Sequence, residues 1–560
     1  MLRCVGSGHA RLEGAIPSGG DILDTGRPLT LAFRGMVSCP HALASEAGVE
    51  VLKAGGSAVD AAIAASAVLS VIYPHMVSIG GDAFWLIYDA RRRAVRFLNA
   101  AGCAASSATI EWFRSRGHAE IPLRGILPGT VTVPGAVDGW CQAHDAGGRL
   151  TLARDLAAAV GYAREGFPVS RRLADWTEQS TTLLKVNAEA AAIFLPGGAP
   201  PRAGQRLRNP NLALTLERIA TEGRAGFYEG ETAREMARFA REGGGLHAER
   251  DFARQRAEWG EPLSTTYRGV AIHATAPPTQ GISVLQMLNL LEPFDLGALD
   301  YLGPDRVHLL VQAKMLAFHD RDRFLADPHF ADVPVERLLS RAYADERRRL
   351  IDPERALAWD RVPSWGSLAG DTVYVGAVDA VGNAASLIHS VYGIYGAGIV
   401  AGNTGVVLQN RGAYFSLDPQ HPNRLEPGKR PLHTLVASLA FRDDRLWQVF
   451  GCMGADGQPQ IHLQAYTAMI DFGLDLQQAV ESPRWLSGRF ALGDPRDLLN
   501  MEGRFPERTF VELGRRGHLI NRWGPWNELA GHAHGITVDA ATGALMGGSD
   551  PRSDGAAIGY

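Results

Sequence analysis

The sequence predicts an α+β fold class, and three observations carry that prediction. Helical patterns dominate from Leu150 to Ile351, whereas turn and strand patterns take over near residue 365. Segregated helical and strand regions are the mark of this class. Thr372-Val-Tyr-Val-Gly-Ala-Val378, the turn residues Asp379-Ala-Val-Gly-Asn383 and Ala384-Ala-Ser-Leu-Ile-His-Ser390 read together as a β-hairpin. Finally, 46% hydrophobic and 21% charged residues in a chain of 560 describe a globular protein rather than a disordered one.

In chain order, Met1 to Thr30 is Gly-rich and weakly patterned, an irregular lead-in. Ala42–Ala54 reads as a helix stopped by Gly55-Gly56. Ser57 then opens a capping box with Asp60 ahead of Ala58–Ile72. That helix is apolar around its circumference, so it must be covered on all sides. Ala83–Tyr88 is a strand, with Ala94–Leu98 as its partner across a turn. Leu212–Glu222 and Arg306–Phe318 have helical periods, and Gly269–Thr275 is a short strand. The mixed-charge run Asp320-Arg-Asp-Arg-Phe324 reads as a solvated, salt-bridged face. Trp365-Gly-Ser-Leu-Ala-Gly-Asp371 is a turn-rich loop before the hairpin. Further strands are expected at Gly405–Leu408, Val436–Phe441 and Leu446–Phe450. Helices follow at Gln458–Phe472 and Leu476–Glu481, then a closing hairpin of Ile536–Asp539 with Leu545–Gly548.

Charge and composition narrow the function. A net charge of −4 offers no basic stripe for nucleic acid. Val59–Tyr73 is too short and too polar to span a membrane. Met1 to Leu31 holds no apolar secretory segment, which points to a cytoplasmic protein. The five cysteines, Cys4, Cys39, Cys103, Cys141 and Cys452, lack paired or C-x-x-C spacing and fit a reducing compartment. Length alone suggests three or four domains of about 150 residues. The 64 glycines form no collagen period and belong in turns and close approaches.

The chain has no G-x-S-x-G elbow, no Walker loop and no H-E-x-x-H, and His532 with His534 makes only an isolated pair. No metal or organic cofactor is implied. The informative point is Asp371-Thr372, a threonine opening a strand directly after a loop. It can be an ordinary strand threonine. Were the preceding peptide bond cut, however, its α-amine, with a pKa of roughly 7.7–8.0, would stand beside its own hydroxyl and serve as base.

Many ordered segments give that second reading its weight: Gly35-Met-Val-Ser-Cys-Pro-His-Ala-Leu-Ala-Ser45, Ala54-Gly-Gly-Ser-Ala-Val-Asp-Ala-Ala62, Ile79-Gly-Gly-Asp82 and Pro128-Gly-Thr-Val-Thr-Val-Pro-Gly-Ala136. Pro277-Pro278, Gly281 and Gln286-Met-Leu-Asn-Leu-Leu291 follow. Thr372, Asp379, Gly382-Asn383 and Gly396-Ala-Gly-Ile-Val-Ala-Gly402 come next, then Pro427-Gly-Lys-Arg-Pro-Leu432 and Asp550-Pro-Arg-Ser-Asp-Gly-Ala-Ala557. With these the chain resembles the gamma-glutamyltransferase family along nearly its whole length. The resemblance implies an N-terminal nucleophile (Ntn) hydrolase αββα sandwich with an additional helical region. It also implies a proenzyme that cuts itself between Asp371 and Thr372. Segments 1–371 and 372–560 would then be two associated chains of one fold, as a heterodimer or a dimer of heterodimers. Thr372 falls on the catalytic threonine, Ser390 on a residue that orients its amine, and Gly454 and Ala455 on the oxyanion-hole amides.

The pocket departs from the family pattern. Ala101 stands where the resemblance expects a carboxylate-clamping arginine, and Tyr414 where it expects the aspartate that holds an α-amine. Arg411 replaces a glutamine, Tyr392 an asparagine, and His433-Thr434 a serine pair. A γ-glutamyl group would leave its charges unpaired here, which such sites reject. Arg411 is instead a fork suited to a carboxylate, with His433 as a second donor. The pattern looks like the non-glutamyl branch of the family, the cephalosporin (glutaryl) acylases and oxamate amidohydrolase. The expectation is hydrolysis of a small carboxylate-bearing amide with water as acceptor. A γ-glutamyl hydrolase or transferase, and an unprocessed scaffold without activity, are the alternatives.

Overall fold

The structure is a computed structural model that describes residues 26–357, 371–490, 494–495 and 497–560. Most of the Gly-rich lead-in, Cys4 and the loop Trp365–Gly370 lie outside the described residues.

Alternation along one central strand sets the architecture. In Asp371–Val378, Val373, Val375 and Ala377 belong to one apolar layer and Tyr374 and Val378 to another. A strand buried on both faces must lie inside a layered structure. Two seven-stranded antiparallel sheets provide it. The first runs Ala556–Gly559, Met36–Cys39, Asp371–Val378, Ala384–Tyr392, Asp82–Asp89, Ala94–Ala100 and Glu258–Gly260. The second runs Thr30–Ala32, Leu545–Ser549, Ala533–Val538, Arg445–Cys452, Ala437–Arg442, Val270–Ala274 and Leu263–Tyr267. Phe84, Tyr374, Ile388, Leu439, Val449 and Ile536 fill the space between them. Helices cover both outer faces: Ala42–Lys53, Ala58–Ile72 and Leu152–Glu165 on the first, Gly281–Leu291, Pro304–Phe324 and Gln458–Asp471 on the second.

The expected capping box at Ser57 is present, and all 15 residues of the helix it starts are buried. Among the described residues no helix is long and apolar enough to cross a membrane.

Two expectations need correction. Gly405–Leu408 is not a strand: it makes only the isolated bridges Gly80–Leu408 and Val400–Val407. Gly405 has φ +71°, and the amides and carbonyls that follow fold back onto residues 397–401 as a tight loop. The run Asp320–Phe324 is not a solvated face either. Asp320, Arg321 and Asp322 are buried. Arg321 lies 2.7 Å from Asp322 and 2.9 Å from Asp456, and donates to Gln280 Oε1 at 2.8 Å. Paired inside the protein, these charges need no solvent.

The two sheets meet most closely where Gly451 lies over Tyr374. A Cβ on Gly451 would come within 2.2 Å of the Tyr374 ring. Gly451→Ala is expected to cost about 1–3 kcal/mol through overpacking, seen as a lower denaturation midpoint with an unchanged m-value.

Candidate active site

Thr372 is 1% exposed and is the second residue of the strand Asp371–Val378. The ladder there is irregular. Asp371 pairs with Tyr392, but Val373 pairs with His389, so the register shifts between them. Bulges of this kind re-aim a side chain. Here the Thr372 hydroxyl donates to Ser390 Oγ at 3.2 Å, and Gln458 Nε2 approaches the same hydroxyl at 3.4 Å. Ser390 Oγ donates in turn to the Asp371 carbonyl oxygen at 2.5 Å and accepts from the Tyr392 amide at 2.8 Å. Ser390 thus polarises the carbonyl that precedes the nucleophile. The Asp371 carboxyl is fully buried, its Oδ2 lacks a hydrogen-bond partner among the described residues, and burial raises its pKa well above the carboxylate range.

The second wall is Met453-Gly-Ala455. Gly454 has φ +137° and Ala455 φ +46°, a left-handed conformation that alanine adopts only under constraint. Ala455 opens a short 3-10 turn that runs into the helix Gln458–Asp471. Amides at such a start have no helical acceptor, and the helix dipole favours negative charge there. Gln280 holds this backbone, donating through Nε2 to the carbonyls of Ala455 at 2.9 Å and Thr434 at 2.7 Å. Arg321 fixes Gln280 from behind.

Arg411 begins a 3-10 turn, Arg411–Tyr414, pinned to the nucleophile hairpin by Asn410, whose Oδ1 accepts from the Gly393 amide at 2.8 Å. Its guanidinium lies 4.3 Å over the Tyr392 ring and donates to Thr434 Oγ1 at 3.3 Å. It is 1% exposed. Among the described residues no carboxylate comes within ion-pair distance of it. Asp82 and Asp456 are the carboxylates that influence it, while burial lowers its pKa. Asp456 is already bound by Arg321 and accepts from Tyr414 at 3.4 Å. Tyr392, at φ +77°, meets Tyr414 edge-on with ring centres 5.5 Å apart.

His433 lies deeper than its companions. Nε2 is 3.4 Å from Asp82 Oδ2, and Phe84 meets the ring edge-on at 4.8 Å. Burial, with Arg411 and Arg430, holds the imidazole well below its ordinary pKa, so it is neutral. Burial also pushes Asp82 up to about 6, against hydrogen bonds from Gln409, Gly102 and Gly135. Asp82 therefore joins the Arg411 loop to the segment of Ala101, whose own backbone carbonyl accepts from Gln255 and Arg430.

The structure thus gathers Thr372, Ser390, Tyr392, Arg411, Tyr414 and Thr434 around one end of the nucleophile hairpin, with Gly454 and Ala455 across from it and His433 behind. Sequence reasoning missed Gln280, Gln458, Asp456 and Arg321. Gln280 and Gln458 each follow a Pro or Gly segment, a weak signal, and Arg321 was hidden in a run that looks solvated. His532 and His534 do not converge: His532 lies 3.5 Å from Glu528, and His534 contacts Ser549.

The gamma-glutamyltranspeptidase family model matches residues 44–560. The chain belongs to the gamma-glutamyltranspeptidase family. It is 41% identical to the glutathione hydrolase-like YwrD proenzyme of Bacillus subtilis over 94% of this chain and 98% of that protein. It is 39% identical to the oxamate amidohydrolase proenzyme of Klebsiella pneumoniae over 95% of this chain and 99% of that one. The crystal structure of cephalosporin acylase from Bacillus halodurans superposes with a TM-score of 0.89 at 37% identity, covering 97% and 99% of the two chains. The fold is that of the Ntn hydrolases in this family, and membership makes the chain an amide hydrolase of the same type.

Proposed function

We propose that this protein is a self-processing amidohydrolase that hydrolyses a small carboxylate-bearing amide, of oxamate or glutaryl-amide type, through an acyl-Thr372 intermediate. The observation that carries the substrate class is Arg411, a buried guanidinium with no ion-pair partner among the described residues, stacked on the tyrosine beside the nucleophile. A substrate carboxylate would complete that charge by a bidentate contact. The names of the amidohydrolase and acylase relatives support the same class.

In the first reaction the Thr372 hydroxyl attacks the Asp371 carbonyl, which Ser390 already polarises. The C–N bond breaks, the nitrogen takes up a proton to become an amine, and water opens the resulting ester. Segments 1–371 and 372–560 stay together because strands from both interleave: Met36–Cys39 pairs with Asp371–Val378 and with Ala556–Gly559. In the mature enzyme the freed amine takes the hydroxyl proton as Oγ attacks the substrate amide. The amides of Gly454 and Ala455 receive the oxyanion, the leaving amine carries the proton away, and water hydrolyses the acyl ester. A cytoplasmic location is part of this reading, supported by Cys39, Cys103, Cys141 and Cys452, which are free cysteines among the described residues.

Ser390→Ala is expected to slow self-cleavage by about 10²–10³-fold, the cost of one donor to a developing oxyanion. The loss of the single-chain band with time on denaturing gels measures it. Substrate class is tested by offering the processed protein oxamate, a glutaryl amide and a γ-glutamyl anilide. Turnover of the first two and not the third is expected. Robust γ-glutamyl turnover would overturn the assignment.

A further inference from the structure

Away from the active site, on the helical layer outside the nucleophile sheet, three side chains converge. Asp60 lies in the first turn of Ala58–Ile72, His144 in the last turn of Ala136–Gly147, and Asp155 in the first turn of Leu152–Glu165. His144 Nε2 is 3.9 Å from Asp60 Oδ1 and 3.9 Å from Asp155 Oδ2, and these atoms all lie within 4.8 Å of one another. Both carboxylates have side chains that are 0% exposed.

The hydrogen bonding shows which oxygens are committed. Asp60 Oδ2 accepts from the Ser57 amide and hydroxyl and from the Arg149 amide, at 2.7, 3.0 and 2.8 Å. Asp60 Oδ1 and both Asp155 oxygens have no hydrogen-bond partner among the described residues. Two like-charged groups with three oxygens left without donors are costly to bury.

We propose that Asp60, His144 and Asp155 bind a divalent transition-metal ion such as zinc, which ties three helices together. One imidazole and two carboxylates form a ligand set that zinc accepts, at about 2.0–2.2 Å per bond. Ligand atoms on one tetrahedral zinc stand about 3.3–3.5 Å apart, so the 3.9 Å spacings must close by about half an ångström on binding. Two carboxylates and a dication make a neutral set. In the metal-free protein His144 Nε2 donates to the Leu150 carbonyl oxygen at 2.8 Å, a hydrogen bond that the metal replaces. Binding moves the imidazole proton to Nδ1, which lies 4.0 Å from Asp145 Oδ1. Gly148 leaves the necessary room, since a Cβ there would come within 2.8 Å of Asp60 Oδ1.

The test uses the full-length protein, stripped with a chelator and then exposed to Zn(II), Mn(II) or Ca(II) in separate arms. Metal content after desalting and the thermal midpoint are the readouts. About one zinc per chain and a raised midpoint are expected for the wild type. Asp155→Leu is expected to retain no zinc and to show no zinc-dependent shift, while its metal-free midpoint equals or exceeds that of wild type. Should that variant fail to fold, His144→Gln, at a partly exposed side chain, is expected to lose zinc in the same way. A wild type that retains no transition metal and does not shift would overturn the proposal in favour of a carboxyl pair sharing a proton. A response to calcium alone, or zinc retained by both variants, would overturn it too.

Discussion

Replacing Thr372 by alanine is expected to leave a single chain of 560 residues and to lower amide hydrolysis by at least about 10⁴-fold. Both losses have one cause. The Thr372 hydroxyl is the group that faces Ser390 and Gln458, and through Ser390 it is coupled to the carbonyl of the bond to be cut. Alanine retains the backbone and the strand pairing with His389 and its neighbours, so the fold should persist. Thr372→Ser keeps the oxygen and is expected to split, more slowly, into segments that begin at residues 1 and 372. Denaturing electrophoresis with N-terminal sequencing of the smaller fragment reads the result. An alanine variant that still splits at this bond, or a wild type that never does, would remove the nucleophile from the scheme.

Local pattern revealed the fold wherever it was strong. The capping box at Ser57, the apolar circumference of Ala58–Ile72 and the hairpin on either side of Asp379–Asn383 each state their own structure. Those signals depend on neighbours in sequence, and the observed bounds differ by a residue or two. The misreadings share the opposite property. Asp320–Phe324 is charged like a surface, and only the distant Gln280 and Asp456 make it a buried brace. Gly405–Leu408 has strand-like residues, but its carbonyls and amides are taken by residues 397–401. The same limit applies at the site. At Thr372 the residues alone left an ordinary strand threonine and a nucleophile both open, and only the family resemblance favoured the second. The roles of Gln280 and Gln458 arise only when segments 175 and 86 residues apart meet. Ala455 carried no warning of its left-handed backbone, since nothing in an alanine announces φ +46°.

Arg411→Met is expected to lower kcat/KM for carboxylate-bearing amides by about 10²–10³-fold, or about 2.7–4 kcal/mol of transition-state binding. Self-cleavage should be unchanged, and a neutral amide of the same size should lose no more than about threefold. The selectivity follows from where the charge sits. The guanidinium contacts Tyr392 and Thr434 rather than Thr372, so its removal leaves the Thr372–Ser390–Asp371 hydrogen bonds intact. Methionine fills the space between Tyr392 and Tyr414 without leaving a buried charge, which makes loss of folding an unlooked-for outcome. Arg411→Lys should recover only part of the activity, because an ammonium lacks the planar fork that grips a carboxylate at two points. Since Asp82 and Asp456 both influence Arg411 but neither pairs with it, the cation has attraction to spare for a ligand. If charged and neutral amides suffer equally in Arg411→Met, that attraction is spent inside the protein: Arg411 is then a brace for the tyrosines, and the carboxylate-binding pocket must be sought elsewhere on the site.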